Sequence, residues 1–180
     1  MTTIEELKQV AYKISEFAYI AGGFYKDIKK GKEPKDIDVF FKTTNGYEQV
    51  AQALEKITGC IRIQNKISLT IGKFELIKPI SIAGRLLFGK PKELVPTFDI
   101  DIARVWIDED GLQSTEDIDE IDWEIENDLF KASIYHEDEK RTIDRIERYE
   151  TYGYRCLQIV REEHSPKRKN KCTMSGGYND

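Results

Sequence analysis

Between Ala21 and Phe41 the chain reads Ala-Gly-Gly-Phe-Tyr-Lys-Asp, then a lysine-rich linker, then Lys-Asp-Ile-Asp-Val-Phe-Phe. Alternate side chains of a strand share a face, so Asp36 and Asp38 project together while Ile37 and Val39 face the other way. Two carboxylates side by side repel one another unless a cation lies between them. Mg²⁺ suits that place, with Mn²⁺ as a substitute, because it takes one or two protein carboxylates and fills its remaining positions with water and phosphate oxygens. Gly22 and Gly23 let backbone N–H groups approach a phosphate, and a helix beginning at Phe24 would offer its N-terminus to an anion. Lys26 adds a positive charge. Together these residues describe a place for the triphosphate of a nucleotide.

The combination resembles the DNA polymerase beta-like nucleotidyltransferase superfamily, whose members carry a Gly-Gly or Gly-Ser turn, an Asp-x-Asp strand and a third acid on a later strand. Gly22-Gly23-Phe24-Tyr25-Lys26-Asp27 is similar to the Gly-Gly-x-x-Arg-Asp opening of the CCA-adding and poly(A) polymerase branch, with lysine in place of arginine. The swap removes a bidentate phosphate contact. The later acidic strand is expected at Phe98–Trp106, where Asp99 and Asp101 share a face by the period-two rule, and either completes the triad. Asp99 is preferred, because Phe98-Asp99 after Gly89-Lys90-Pro91 is similar to the Phe-Asp-Phe strand of small, often phage-encoded relatives. The same relatives end in an Arg-hydrophobic-x-x-Tyr helix and a Gly-aromatic step, matched here by Arg145–Tyr149 and Gly153-Tyr154.

The resemblance implies an α/β (α+β) fold: a mixed twisted sheet flanked by helices, with a helical C-terminal region and the acids at one end of the sheet. It implies that Gly22 and Gly23 hold an incoming NTP, that Asp36 and Asp38 bridge two Mg²⁺ ions, and that Asp99 or Asp101 ligates the metal nearer the nucleophile. Lys26 and Arg85 are candidate substrate contacts, as are Arg62 and Lys66. An acceptor hydroxyl, on RNA such as tRNA, on a protein or on a small molecule, would attack the α-phosphorus and release pyrophosphate. A catalytically silent nucleotide-binding or host-factor interaction protein of phage origin is the alternative.

The length of 180 residues suits one domain with a small appendage. The expected division is a catalytic core over 1–108, an acidic segment and helical region over 109–160, and a disordered basic tail over 161–180. No apolar run is long enough to cross a bilayer and Met1–Phe17 lacks a signal pattern, so a cytoplasmic location is expected, that of the host if the chain is phage-encoded. Cys60, Cys156 and Cys172 are an odd, scattered set that points to reduced thiols. The net charge of −5, and the absence of Lys and Arg from Asp108–Asp128, argue against an extended DNA-binding surface.

Apolar spacing predicts an amphipathic helix over Ile4–Phe17, a first strand at Tyr19–Ala21, and a helix over Gly46–Ile57 capped by Gly59. A hairpin of Ile61–Gln64 and Ser68–Ile71 follows, then Lys73–Ile77 as a further strand. Ile82–Phe88 reads as a short helix or a loop, and Lys131–Tyr152 as a long solvent-facing helix. His136 and His164 have no second histidine at ligand spacing, and Tyr149, Tyr152 and Tyr154 are expected to pack the terminal helix.

Overall fold

A computed structural model describes residues 1–82 and 85–163, with the side chains of Ile82 and Arg85 outside the described set. Helix α1 (Ile4–Ile14) opens with a capping box in which the Thr3 side chain and Glu6 satisfy each other's backbone N–H groups. Its Leu7, Val10, Ala11 and Ile14 form the buried stripe that the sequence spacing predicts. Strand β1 (Ala18–Ala21), helix α2 (Phe24–Lys29), strand β2 (Ile37–Phe41) and helix α3 (Tyr47–Thr58) follow. Gly59, at φ +69°, ends α3 as the expected C-cap.

Strands β3 (Arg62–Gln64), β4 (Ser68–Ile71) and β5 (Phe74–Ile77) form the expected hairpin and its extension. Ser81–Ile82 (β6) and Arg85–Leu86 (β7) make a two-stranded ladder where a helix or loop is expected. After a one-turn helix α4 (Pro91–Leu94) come β8 (Val105–Asp108), β9 (Gly111–Ser114) and α5 (Ile118–Glu126). The C-terminal part carries β10 (Leu129–Tyr135), α6 (Glu139–Thr151) and β11 (Arg155–Glu162). Lys131–Tyr135 is therefore strand rather than the start of a long helix. Phe130, Ala132 and Ile134 are buried alternately, a period of two beside the helical period of α6. The expected 161–180 tail begins inside β11, and its remainder, with His164 and Cys172, lies outside the described residues.

The main sheet runs β3-β4-β5-β2-β1-β8-β9, with β2 and β5 parallel and every other pair antiparallel. Alternation gives it two different faces. Ile20, Ile37, Val39, Phe41, Phe74, Leu76, Val105 and Ile107 point into the large core built with α1 and α3. The opposite face carries Tyr19, Ala21 and Trp106, covered by Leu94 and Val95, with Phe40 and Phe98 packed alongside. By the same alternation Asp38 of β2 and Glu75 of β5 lie on this second face. The architecture is a mixed α/β domain with its acids on one face of a helix-flanked mixed sheet.

The expected strand over Phe98–Trp106 is a correction: residues 95–97 and 101–103 are short 3₁₀ turns, and the strand begins only at Val105. The alternating acids mislead because no face there is solvated. Asp99 and Asp101 are as buried as Ile100 and Ile102, each at 4 % exposure or less.

Candidate active site

The chain leaves β1 through Gly22, which donates its N–H to the Val105 carbonyl at 3.2 Å and adopts φ +104°. A Cβ on Gly22 would stand 3.1 Å from Asp38 Oδ2. Glycine is thus needed twice over, for the backbone conformation and for the close approach to the carboxylate. Gly23 differs. Its φ of −72° suits any residue, and a Cβ there would make only ordinary contacts, 3.8 Å from the Tyr149 hydroxyl and 3.9 Å from Lys26 Cε. Gly22→Ala is expected to cost about 1–3 kcal/mol of stability, read in a denaturant titration, while Gly23→Ala leaves the fold within about 0.5 kcal/mol.

Asp38 is half-buried on β2, and its strand register places it beside Glu75 of β5. Burial pushes its carboxyl up to about 7, reinforced by the negative charges of Glu75 and then Asp36, while Arg145 pulls it down. Asp36 is exposed at the entry to β2. Glu75 is an acid that the sequence expectation did not include; its alternation with the buried Phe74 and Leu76 is local, but its place beside Asp38 comes from the pairing of β2 with β5.

Asp99 and Asp101 both make contacts within the chain. Asp99 accepts from Arg145 Nη1 at 2.5 Å and from Thr142 Oγ1 at 3.2 Å, so it fastens α6 to the segment before β8. Arg145 is the link between the two acid positions, because its charge is also felt at Asp38. Asp101 Oδ1 accepts from the backbone N–H of Ile102 at 2.7 Å and of Lys131 at 2.8 Å. Its Oδ2 is buried next to Glu124 of α5, which ion-pairs with Lys131 at 2.6 Å. Burial, then the Glu124 carboxyl, push Asp101 up to about 7. An acid whose folded-state value exceeds its unfolded value of about 3.9 lowers stability as pH rises from about 4 to 7. Asp101→Asn is expected to flatten the dependence of melting temperature on pH across that window.

Lys26 forms an ion pair with Asp27 and lies 5.6 Å from the centroid of the Tyr149 ring, at the margin of the glycine turn. Arg62 is held by Glu55 at 2.7 and 2.9 Å and by Glu48 at 2.9 Å, away from the acids of β2 on the outer hairpin. The side chain of Arg85 lies outside the described residues. Tyr149 packs against Phe130 and Tyr154, as expected of the terminal helix, whereas Tyr152 is exposed beneath Lys35. Along α6 runs a cleft of about 450 Å³ lined by Lys140, Arg141, Arg145 and Arg148 together with Glu137, Asp138 and Asp144. The acidic segment is partly neutralised within the chain, through Lys29–Asp122, Lys30–Asp128 and Lys131–Glu120 pairs.

Among the described residues no group of three or more His, Cys, Asp or Glu side chains is arranged to hold a metal ion. The donor chemistry nevertheless fits Mg²⁺ bound with substrate, since that ion needs only one or two carboxylates from the protein. Asp38 is held near 7 by burial and by its acidic neighbours, which outweigh the opposing charge of Arg145. None of the described helices is long and apolar enough to cross a membrane.

The fold that holds these acids is that of nucleotidyltransferase head domains. The Bacillus stearothermophilus CCA-adding enzyme in complex with CTP superposes with a TM-score of 0.59 at 14 % identity, over 89 % of this chain and 42 % of that one. The Thermotoga maritima CCA-adding enzyme complexed with tRNA gives 0.55 at 16 %, over 84 % and 38 %. A tRNA-processing enzyme gives 0.53 at 19 %, over 89 % and 44 %. The chain therefore spans about two fifths of the length of these structures. The chain itself belongs to the Gabija anti-defense 2 family, whose model matches residues 3–133. No curated protein matches the sequence.

Proposed function

We propose that the chain is a Mg²⁺-dependent nucleotidyltransferase that moves a nucleoside monophosphate from an NTP to an acceptor hydroxyl, of RNA such as tRNA or of a protein, and releases pyrophosphate. The observation that carries this reading is the placing of Asp38 against Gly22 and Glu75, with Asp36 at the strand entry. Like charges are gathered there at an energetic cost that a structural role does not require.

In this reading Asp36 and Asp38 hold Mg²⁺, and Glu75 takes the place of third acid for which Asp99 or Asp101 was the expectation. When bound, the ion would offset the charge on the phosphate oxygens and keep them in line. The open backbone of Gly22 and Gly23 admits the phosphates. Among the described residues nothing demands glycine at 23, so the open approach there is available to a ligand. Arg145, whose charge is felt at Asp38, favours the negative charge of the donor. Lys26, braced by Asp27 and Tyr149, closes the near edge of the turn. The proposed division leaves residues 1–108 with the catalytic elements and the later residues with the supporting wall. The proposed setting is the host cytoplasm.

The family description favours a second reading, in which the protein counters a defence system by binding a nucleotide or a host factor without catalysis. One experiment separates the two. Purified protein is incubated with Mg²⁺ and each NTP in turn, with tRNA or host protein as acceptor, and pyrophosphate is measured. Metal-dependent release that Asp38→Asn abolishes supports transfer. No release with any pair, together with an anti-defence effect that survives Asp38→Asn, supports binding alone.

A further inference from the structure

Tyr149 lies on α6 four residues after Arg145, and so on the same face of the helix. From that face the helix reaches both halves of the candidate site. Arg145 is felt as a charge at Asp38, and the Tyr149 hydroxyl stands 3.8 Å from where a Cβ on Gly23 would lie. Two groups border that open space, this hydroxyl and Lys26 Cε. The ring is fixed by its neighbours: its centroid is 5.2 Å from that of Phe130, 5.7 Å from that of Tyr154 and 5.6 Å from Lys26 Nζ. Packing of this kind holds the hydroxyl in place. Among the described residues the hydroxyl has no hydrogen-bond partner, although a buried tyrosine O–H usually finds one. Burial raises the phenol above its usual range, against the pull of Arg145, so the group is a donor at neutral pH. The two acids whose charge reaches it, Asp27 and Asp99, are each paired, with Lys26 and Arg145.

We propose that the Tyr149 hydroxyl donates a hydrogen bond to the polyphosphate tail of the nucleotide, which makes Tyr149 a substrate-binding residue as well as a packing one. This rests on the transferase reading, in which the phosphates are seated against the Gly22-Gly23 turn. The tail is favoured over the base or the ribose by what stands beside the hydroxyl. An open glycine backbone and a lysine side chain suit the oxygens of an anion, and a neutral donor adds to them without adding charge. A desolvated O–H left without an acceptor costs free energy, and a phosphate oxygen supplies the missing partner.

Isothermal titration of each of the four NTPs, and of inorganic tripolyphosphate, all with Mg²⁺, into the wild type and Tyr149→Phe tests it on the full chain. Phenylalanine keeps the ring and its packing and removes the hydroxyl alone. The variant is expected to bind both the accepted NTP and tripolyphosphate about tenfold more weakly than the wild type, with an unchanged melting temperature. Equal binding by the two proteins overturns the proposal, and so does a lowered melting temperature, which gives the hydroxyl structural work. A loss confined to the NTPs, or a wild type that binds NTPs but not tripolyphosphate, overturns it by moving the contact to the base or the ribose. In each of these outcomes the transferase reading stands. A wild type that binds no NTP with Mg²⁺ overturns both.

Discussion

Asp38→Asn is expected to remove nucleotidyl transfer by a factor of about 1,000 or more while making the protein more stable. Both effects come from one cause. The carboxyl of Asp38 is held at about 7, chiefly by burial and then by Glu75 and Asp36, so ionising it in the folded chain is unfavourable. In the unfolded chain the same group titrates near 3.9. The folded state therefore binds the extra proton between about pH 4 and 7, and stability falls as pH rises through that window. Asparagine keeps the shape and removes the charge. The variant should gain about 1–3 kcal/mol at pH 8 and nothing near pH 4. Thermal melts across pH, beside the pyrophosphate assay, check both halves. Nucleotide binding with Mg²⁺ in the wild type is expected to weaken below about pH 7, because the cation needs the ionised carboxylate.

Arg145→Ala should be the most damaging change outside the core, at about 2–3 kcal/mol, or about 5–10 °C in melting temperature. Asp99 is 4 % exposed and has Arg145 as its cationic partner, so truncating the arginine strands a buried charge. Much of the loss belongs to that stranded charge rather than to the ion pair itself. The double variant Arg145→Ala, Asp99→Asn should consequently recover more than half of the lost stability in the same melts. The arginine also lowers the carboxyl of Asp38, so the single variant is expected to shift the pH dependence of nucleotide binding upward.

The residues that proved easiest to read were those whose environment is fixed within a few positions in the chain. The Gly22 turn and the Gly59 cap follow from local backbone rules, and so does the alternation of Asp38 with the buried Ile37 and Val39. The acid beside Asp38 was not local. Glu75 reaches Asp38 through the parallel pairing of β2 with β5, across α3 and the β3–β4 hairpin, and sequence alone does not specify which strands become neighbours. The strand expected around Asp99 and Asp101 failed for the opposite reason. Their spacing matches a strand, yet Arg145 and Thr142 hold one in the interior, and Lys131 with Glu124 the other. Buried acids with partners leave no mark in an alternation pattern that assumes one wet face. Strand β10 was hidden similarly, because mixed charges in Lys131–Tyr152 were read as a single helical surface.

Whether the carboxylates around Gly22 hold a metal-bound nucleotide is decided by isothermal titration of each NTP with Mg²⁺ into the wild type and into the Asp36→Ala, Asp38→Ala double variant. The expected result is metal-dependent binding of at least one nucleotide to the wild type and none to the variant. Binding of equal strength to both proteins, or binding that persists without Mg²⁺, would contradict it.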